Sequence, residues 1–385
     1  MSRHKEKPKR DSPSSWARQI RSSRPALIVL ALVVALIQLS GVPEKLSKET
    51  LDAALILQNK QLAPDVSLVD IDDEDYAHLF HSKSPLDPVV VSQIIDAVVT
   101  GGARVVVVDL ETSDSPLSEF RLPRESPPIV WAAAARGADE SFVLRQPLGG
   151  QSVSGTTEVG VAQVPLDSTG VVRSYVRGFQ AGPTSWYPSL PYAAWEAFAA
   201  KGSKHMGRLP TPNELLLDYQ YRFRLLKARV LMQVLKPDRK KAWIDSHLFA
   251  NNVVIIGGTF WAARDQYATP VGLKSGMEIV AQATQAEIRH TGIKPARKWS
   301  SGLVLLFSGL IIVGVYRWFQ LRTAIVVSLV LIPVLSIVCS YVLFSRLSLW
   351  FWTIPVTLAV LLAQVCAQLF TYLRLFQQLE QPKTK

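Results

Sequence analysis

The run Asp70-Ile-Asp72-Asp73-Glu74-Asp75, followed by His78 and His81, carries side chains that could hold a metal ion or serve a phosphoryl-transfer reaction. Asp75, His78 and His81 stand three apart, which on a helix puts a carboxylate and two imidazoles on one face. Asp70 and Asp72 form an Asp-x-Asp pair leaving a strand, the position where α/β sites collect. The same residues have a plainer use. Asp72 or Asp73 accepts backbone N–H bonds at a helix start, and Glu74 and Asp75 oppose the helix dipole. That use is the stronger expectation, because no partner lysine or second acidic pair of a phosphohydrolase is recognisable.

Other candidates also have structural readings. Gly257-Gly258-Thr259 after a strand could offer amides to an anion. No G-x-x-x-x-G-K-[ST] follows, so a tight strand exit is expected. Arg173 is expected to pair with Asp167 or Asp109, and Asp265 with the neighbourhood of Arg264; these are fold-specifying ion pairs first and ligand contacts second. Gly-x-Ser-x-Gly is absent. The only cysteines, Cys339 and Cys366, lie in apolar runs, so the middle of the chain has neither a thiol nucleophile nor a disulfide. An enzyme is not expected, and neither is a cofactor.

The elements that must position these residues follow from periodicity. Residues 44–60 read as a helix with Leu46, Leu51, Ala54, Leu55 and Gln58 on successive turns. Residues 66–71 have strand character. Residues 88–99 form a helix with Val91, Ile94, Ile95 and Val98 on one face, stopped by Gly101-Gly102. Arg104-Val-Val-Val-Val-Asp109 is then a buried strand, which completes a βαβ unit with a parallel pairing. Residues 129–135 and 159–164 read as strands. The turn Asp167-Ser-Thr-Gly170 joins 159–164 to 171–179 as a hairpin. Helices are expected at 187–200, 223–235 and 277–290, with a strand at 252–256. The fold class is an α/β domain with a mixed, partly parallel sheet.

Around this domain lie four uncharged apolar stretches, 26–42, 300–316, 323–344 and 349–370. Each has about 17–22 residues, enough to cross a roughly 30 Å hydrocarbon core. Of the net charge of +11, residues 1–25 carry +6, residues 317–322 carry +2 and residues 323–385 carry +3, while 26–316 hold 28 charges of each sign. A basic excess confined to the flanks of apolar stretches is a topology signal and argues against a nucleic-acid partner. It places both termini in the cytoplasm and residues 43–299 outside a plasma (inner) membrane. The first stretch is expected to be an uncleaved anchor, since no A-x-A site follows.

Taken in order, the motifs resemble the type 2 CHASE domain, a cyclase/histidine-kinase-associated sensory extracellular domain of bacteria. The resemblance is carried by Val69-Asp-Ile-Asp-Asp73, Gly101-Gly-Ala-Arg-Val-Val-Val-Val-Asp109, Asp167-Ser-Thr-Gly170-Val-Val-Arg173 and Val253-Val-Ile-Ile-Gly257. Asp265, Thr269-Pro270, Gly276-Met-Glu278 and Ala281 continue it, over roughly 44–293. Such domains usually precede a cytoplasmic cyclase or kinase. With residues 371–385 after the last apolar stretch, the resemblance implies a stand-alone sensor whose output activity sits on a protein partner. Asp70, Asp72, Asp109, Asp167, Arg173, Asp265, Thr269 and Glu278 are the residues expected to bind a ligand or specify the fold. Leu369, Leu373, Phe376 and Leu379 form an apolar stripe that implies self-association or a partner helix. Rival readings are an extracytoplasmic metal-dependent hydrolase and a structural subunit of an envelope complex.

Overall fold

The computed structural model describes residues 42–122, 126–136, 143–150, 157–180, 186–199 and 210–295, with isolated helical positions between 323 and 372 and the extended pair Leu349–Trp350. Apart from Val42 and those positions, the four apolar stretches lie outside the described residues. Among the described residues, no helix is long and apolar enough to cross a membrane. Asp52–Pro295 forms one compact unit, and the features below belong to it apart from residues 42–51 of the first helix.

Helix α1 (Val42–Leu57) buries Leu51 and Leu55, one turn apart, and leads into strand β1 (Gln61–Ile71). A short helix α2 (Asp73–Leu79) follows. Helix α3 (Pro88–Thr100) starts where Asp87 accepts the Val89 amide and Pro88 supplies a helical φ without needing its missing N–H. It buries Val91, Ile94, Ile95 and Val98, each worth about 1.5–3 kcal/mol relative to exposure. Strand β2 (Val105–Asp109) is buried on both faces through its four valines, as a central parallel strand must be. The expected βαβ unit is present, but its strands β1 and β2 run parallel on either side of β11 and do not pair with each other.

Next come β3 (Ile129–Arg136), β4 (Val143–Arg145), β5 (Thr157–Val161), β6 (Ser174–Val176), β7 (Gly178–Gln180), β8 (Trp186–Pro188) and α4 (Leu190–Phe198). They are followed by β9 (Glu214–Leu216), β10 (Tyr221–Lys227), α5 (Ala228–Val234), α6 (Pro237–Ser246), β11 (Val253–Gly258), the hairpin β12 (Gln266–Thr269) and β13 (Gly272–Ser275), and α7 (Gly276–Arg289). The main sheet has seven strands in the order β10-β1-β11-β2-β3-β4, with β5 also on β3. Every pairing in it is parallel except β3 with β4. The α/β class with a mixed, mostly parallel sheet stands. Helices cover both faces. Val69, Ile71, Val106, Val108, Val254 and Ile256 pack under α3, α5 and α6, while Val66, Leu68, Val105, Val107, Val253 and Ile255 pack under α4 and α7.

Three expectations are corrected. No hairpin joins 159–164 to 171–179: β5 pairs with β3, β6 pairs with the distant β9, and the Val172 amide donates to Ala268 O. The helix expected over 223–235 begins only at Ala228, because 221–227 is the edge strand β10, whose alternating Tyr221-Arg-Phe-Arg-Leu fits a half-covered edge better than a helix face. The helix expected from 187 starts at Leu190, behind the strand Trp186–Pro188, with Pro191 in its first turn.

Candidate functional site

The carboxyl ends of the parallel strands bring together the acidic residues singled out in the sequence. Asp70, next to last in β1, lies opposite Gly257 of β11, and Gly257 in turn lies opposite Asp109 of β2. Parallel partners share a face, so Asp70 and Asp109 flank a glycine on one side of the sheet, about 10 Å apart across two strand spacings. That side faces α7, since a side chain at Gly257 would meet Met277 at the helix start.

Asp70 is 2% exposed and its carboxylate is fully engaged. It accepts from Lys227 Nζ at 2.5 Å and from Thr259 Oγ1 at 2.6 Å. Asp72 caps α2 by accepting the Asp75 amide at 2.9 Å, and it also pairs with Arg229 at 2.9 Å and Lys227 at 3.1 Å. Burial opposes ionisation of Asp72, but the Asp75 amide, Arg229 and Lys227 outweigh it and bring its pKa down to about 2. Asp73 accepts the Trp261 amide at 2.7 Å, and Glu74 pairs with Arg229 at 3.1 Å. Of the two residues expected to cap the helix, Asp72 does so, and Asp73 reaches the Trp261 amide instead.

Asp75, His78 and His81 do not form a ligand set. Asp75 is fully buried and accepts the Ala228 and Arg229 amides at 3.1 and 3.2 Å, so it caps the start of α5. His78 and His81 are exposed. Helix α2 ends at Leu79, and His81 has a φ of 53°, which takes it off the expected helical face. Among the described residues, no three His, Cys, Asp or Glu side chains are arranged to hold a metal.

Asp109 stands apart from these satisfied carboxylates. Burial, then the nearby Asp265 carboxylate, pushes its pKa up to about 7. Asp265 is also raised by burial, against hydrogen bonds from Tyr267 Oη and the Gly276 amide. Its carboxylate rests on Gly276, so a Cβ at the first residue of α7 would have to displace it. Burial, then Asp265, raises Tyr267 to about 12. Asp109 is therefore poised to change protonation near neutral pH, donating a hydrogen bond when protonated and accepting one when ionised.

Asp109→Asn tests that proton. A carboxyl raised from about 4 to about 7 on folding contributes stability that is greatest below pH 4 and is lost as pH rises to 7. A rise of three units corresponds to about 4 kcal/mol, and about half is expected because Asp109 keeps part of its surface open to water. The variant should therefore gain about 2 kcal/mol in urea unfolding at pH 8 and nothing at pH 4. An equal gain at both pH values would show that Asp109 does not titrate between them.

The remaining candidates shape turns and helix caps. Asp167 shapes its turn by accepting the Thr169 amide at 2.7 Å, Thr169 Oγ1 at 2.6 Å and the Val171 amide at 3.3 Å. These bonds and Arg173 hold its pKa below the usual range despite burial. Arg173 pairs with Asp167, as one alternative anticipated, but its second partner is Asp52 of α1 rather than Asp109. Thr269 Oγ1 donates to Gly272 O at 2.5 Å and closes the β12–β13 hairpin. Glu278 completes a capping box with Ser275 and pairs with Lys274 at 2.8 Å.

Sequence reasoning missed Lys227, Arg229, Asp52, Tyr175, Arg177 and Glu287. Reading 221–227 by its alternation would have placed Lys227 at a strand's carboxyl end, beside Asp70. The alternation in Arg173-Ser-Tyr175-Val-Arg177 was the available signal for the second group. A family model described as the CHASE2 domain matches residues 28–316. No curated protein and no solved structure matches the chain.

Proposed function

Since the chain belongs to the CHASE2 domain family, whose members are extracytoplasmic sensory domains, we propose that it is a multi-pass membrane sensor that passes its signal to an effector on a separate chain. The sensory role is the family's. The observation that carries the finer reading is the extent of the match, which runs through most of the apolar stretch before the α/β domain and all of the one after it. Domain and flanks thus recur as one unit, as a sensor read out through its helices requires. The basic excess on the flanks sets both termini in the cytoplasm. The stripe Leu369, Leu373, Phe376 and Leu379 supports handover to a partner helix. In this reading the carboxyl edge around Asp109 and Asp265 is where a stimulus acts, and the satisfied pairs around Asp70 and Asp72 hold its shape.

Labelling tests the topology. In a Cys339→Ser, Cys366→Ser background, a cysteine replacing Leu273, which is 72% exposed on β13, should react with an impermeant maleimide added outside the inner membrane. A cysteine replacing Gln378 should react only after the membrane is opened. The reverse pattern would refute the extracytoplasmic placement. Cross-linking from cysteines at Leu373 and Phe376 tests the handover, and adducts from neither would remove this stripe as its surface.

A further inference from the structure

We infer that residues 172–177, with the short strand β9, form a coupler that locks the end of α1 to the end of α7. The two helix ends then move as one body when the domain changes. The inference rests on the sensor reading for its purpose, but its geometry stands independently of it.

Along an extended segment, alternate side chains point the same way. Here Arg173, Tyr175 and Arg177 alternate, and they divide between two helices. Arg173, 8% exposed, places its guanidinium in a two-pronged grip on Asp52 of α1, with Nε to Oδ1 at 2.8 Å and Nη2 to Oδ2 at 2.6 Å. Its remaining Nη1 reaches Asp167 and Thr169. Four residues further along, Arg177 makes the same grip on Glu287 in the last turn of α7, with Nε to Oε1 at 2.7 Å and Nη2 to Oε2 at 2.9 Å. Tyr175 Oη donates to the same carboxylate. Glu287 is 1% exposed. A planar guanidinium held at two points fixes direction as well as distance.

The backbone repeats the pattern. Strand β6 pairs with β9. Beyond β9, Leu217 N donates to Arg173 O at 2.8 Å. Leu216 then exchanges two 3.0 Å hydrogen bonds with Ile293, just after α7. On the incoming side, Lys60 Nζ donates to Tyr219 O at 2.7 Å, and Tyr219 Oη donates to Val172 O at 2.8 Å. The chain entering the domain and the chain leaving it are therefore fastened to one small β unit. Neither β6 nor β9 belongs to the seven-stranded sheet.

Stability alone does not call for this arrangement. A buried ion pair contributes little over a well-packed apolar pair, and its best-attested use is to specify one geometry. Two guanidinium grips of the same form, four residues apart and flanking β6, hold α1 and α7, the helices that connect the domain to the apolar stretches 26–42 and 300–316.

The test measures the distance between those ends in the full-length protein in phospholipid nanodiscs. Spin labels go on Leu57→Cys and His290→Cys, both exposed, with Cys339→Ser and Cys366→Ser. The parent should give one narrow distance distribution. Asp52→Asn, which frees only the α1 end, and Tyr175→Phe with Glu287→Gln, which frees only the α7 end, should each at least double its width. Amide exchange in β1, β2 and β11 should quicken in each variant by no more than the global loss of stability that urea unfolding gives for it. Unchanged widths in both variants would overturn the coupler. Loss of protection in the central sheet beyond that global loss would also overturn it, because the broadening would then report a loosened sheet. Neither readout depends on which side of the membrane the domain occupies, so failure of the labelling experiment refutes the sensor topology alone.

Discussion

Arg177→Ala is expected to destabilise the domain by about 4 kcal/mol, within the 3–5 kcal/mol typical of stranding one member of a buried pair. Its partner Glu287 is 1% exposed, and without the guanidinium it would keep only the Tyr175 hydroxyl. Desolvation would then oppose the carboxylate with nothing to offset it. Burial, then Glu287, already raises the Tyr175 hydroxyl well above the usual phenol range, so the phenol cannot replace the cation. Urea unfolding followed by tryptophan fluorescence measures the loss. The double variant Arg177→Met, Glu287→Leu should recover most of it, because removing both charges also removes the stranded one. A loss below about 1 kcal/mol for Arg177→Ala would put this pair with solvent-screened surface pairs.

Asp75→Ala is expected to cost about 3 kcal/mol, against less than about 0.5 kcal/mol for His78→Ala. Asp75 is fully buried and receives the Ala228 and Arg229 amides that open α5. Alanine leaves two buried donors unpaired, each worth about 1–3 kcal/mol. His78 is exposed and its removal strands nothing. Thermal unfolding of both variants decides between a cap and a metal ligand. Two equal losses, with added divalent metal raising the midpoint of the parent alone, would restore the metal reading of this segment.

Much of the scaffold was legible because its signals are local. The four valines of β2, the 3.6-residue spacing of Val91, Ile94, Ile95 and Val98, and Gly101 at the end of that helix each speak within about a dozen residues. The same holds for Asp72 as a cap, the Asp167 turn and the capping-box pair Ser275 and Glu278. The strand 221–227 was misread for a related reason: Phe223, Leu225 and Leu226 beside a helix fit both periods until the neighbouring strand is known. The tie between Arg173 and Asp167 was legible too, across six residues.

The pairings that make the site and the coupler were not legible, because they join residues far apart in the chain. Asp70 meets Lys227 across 157 residues, Arg173 meets Asp52 across 121, and Tyr175 meets Glu287 across 112. Any of the many lysines, arginines and carboxylates in the neutral middle of the chain could in principle serve as those partners. Three-residue strands such as β6 and β9 carry no register signal of their own, so the hairpin suggested by the Asp167 turn lost to a partner some 40 residues away. Amino-acid order alone thus determined the α/β class, the main helices and buried strands, the caps and the family. Only the folded domain, by setting Gly257 between Asp70 and Asp109 and by bringing α1 and α7 to one small β unit, decided which charges are paired and which carboxyl is shifted upward. The physical reason is that periodicity and capping act over a few residues of backbone, whereas burial and charge pairing depend on distances that exist only after folding.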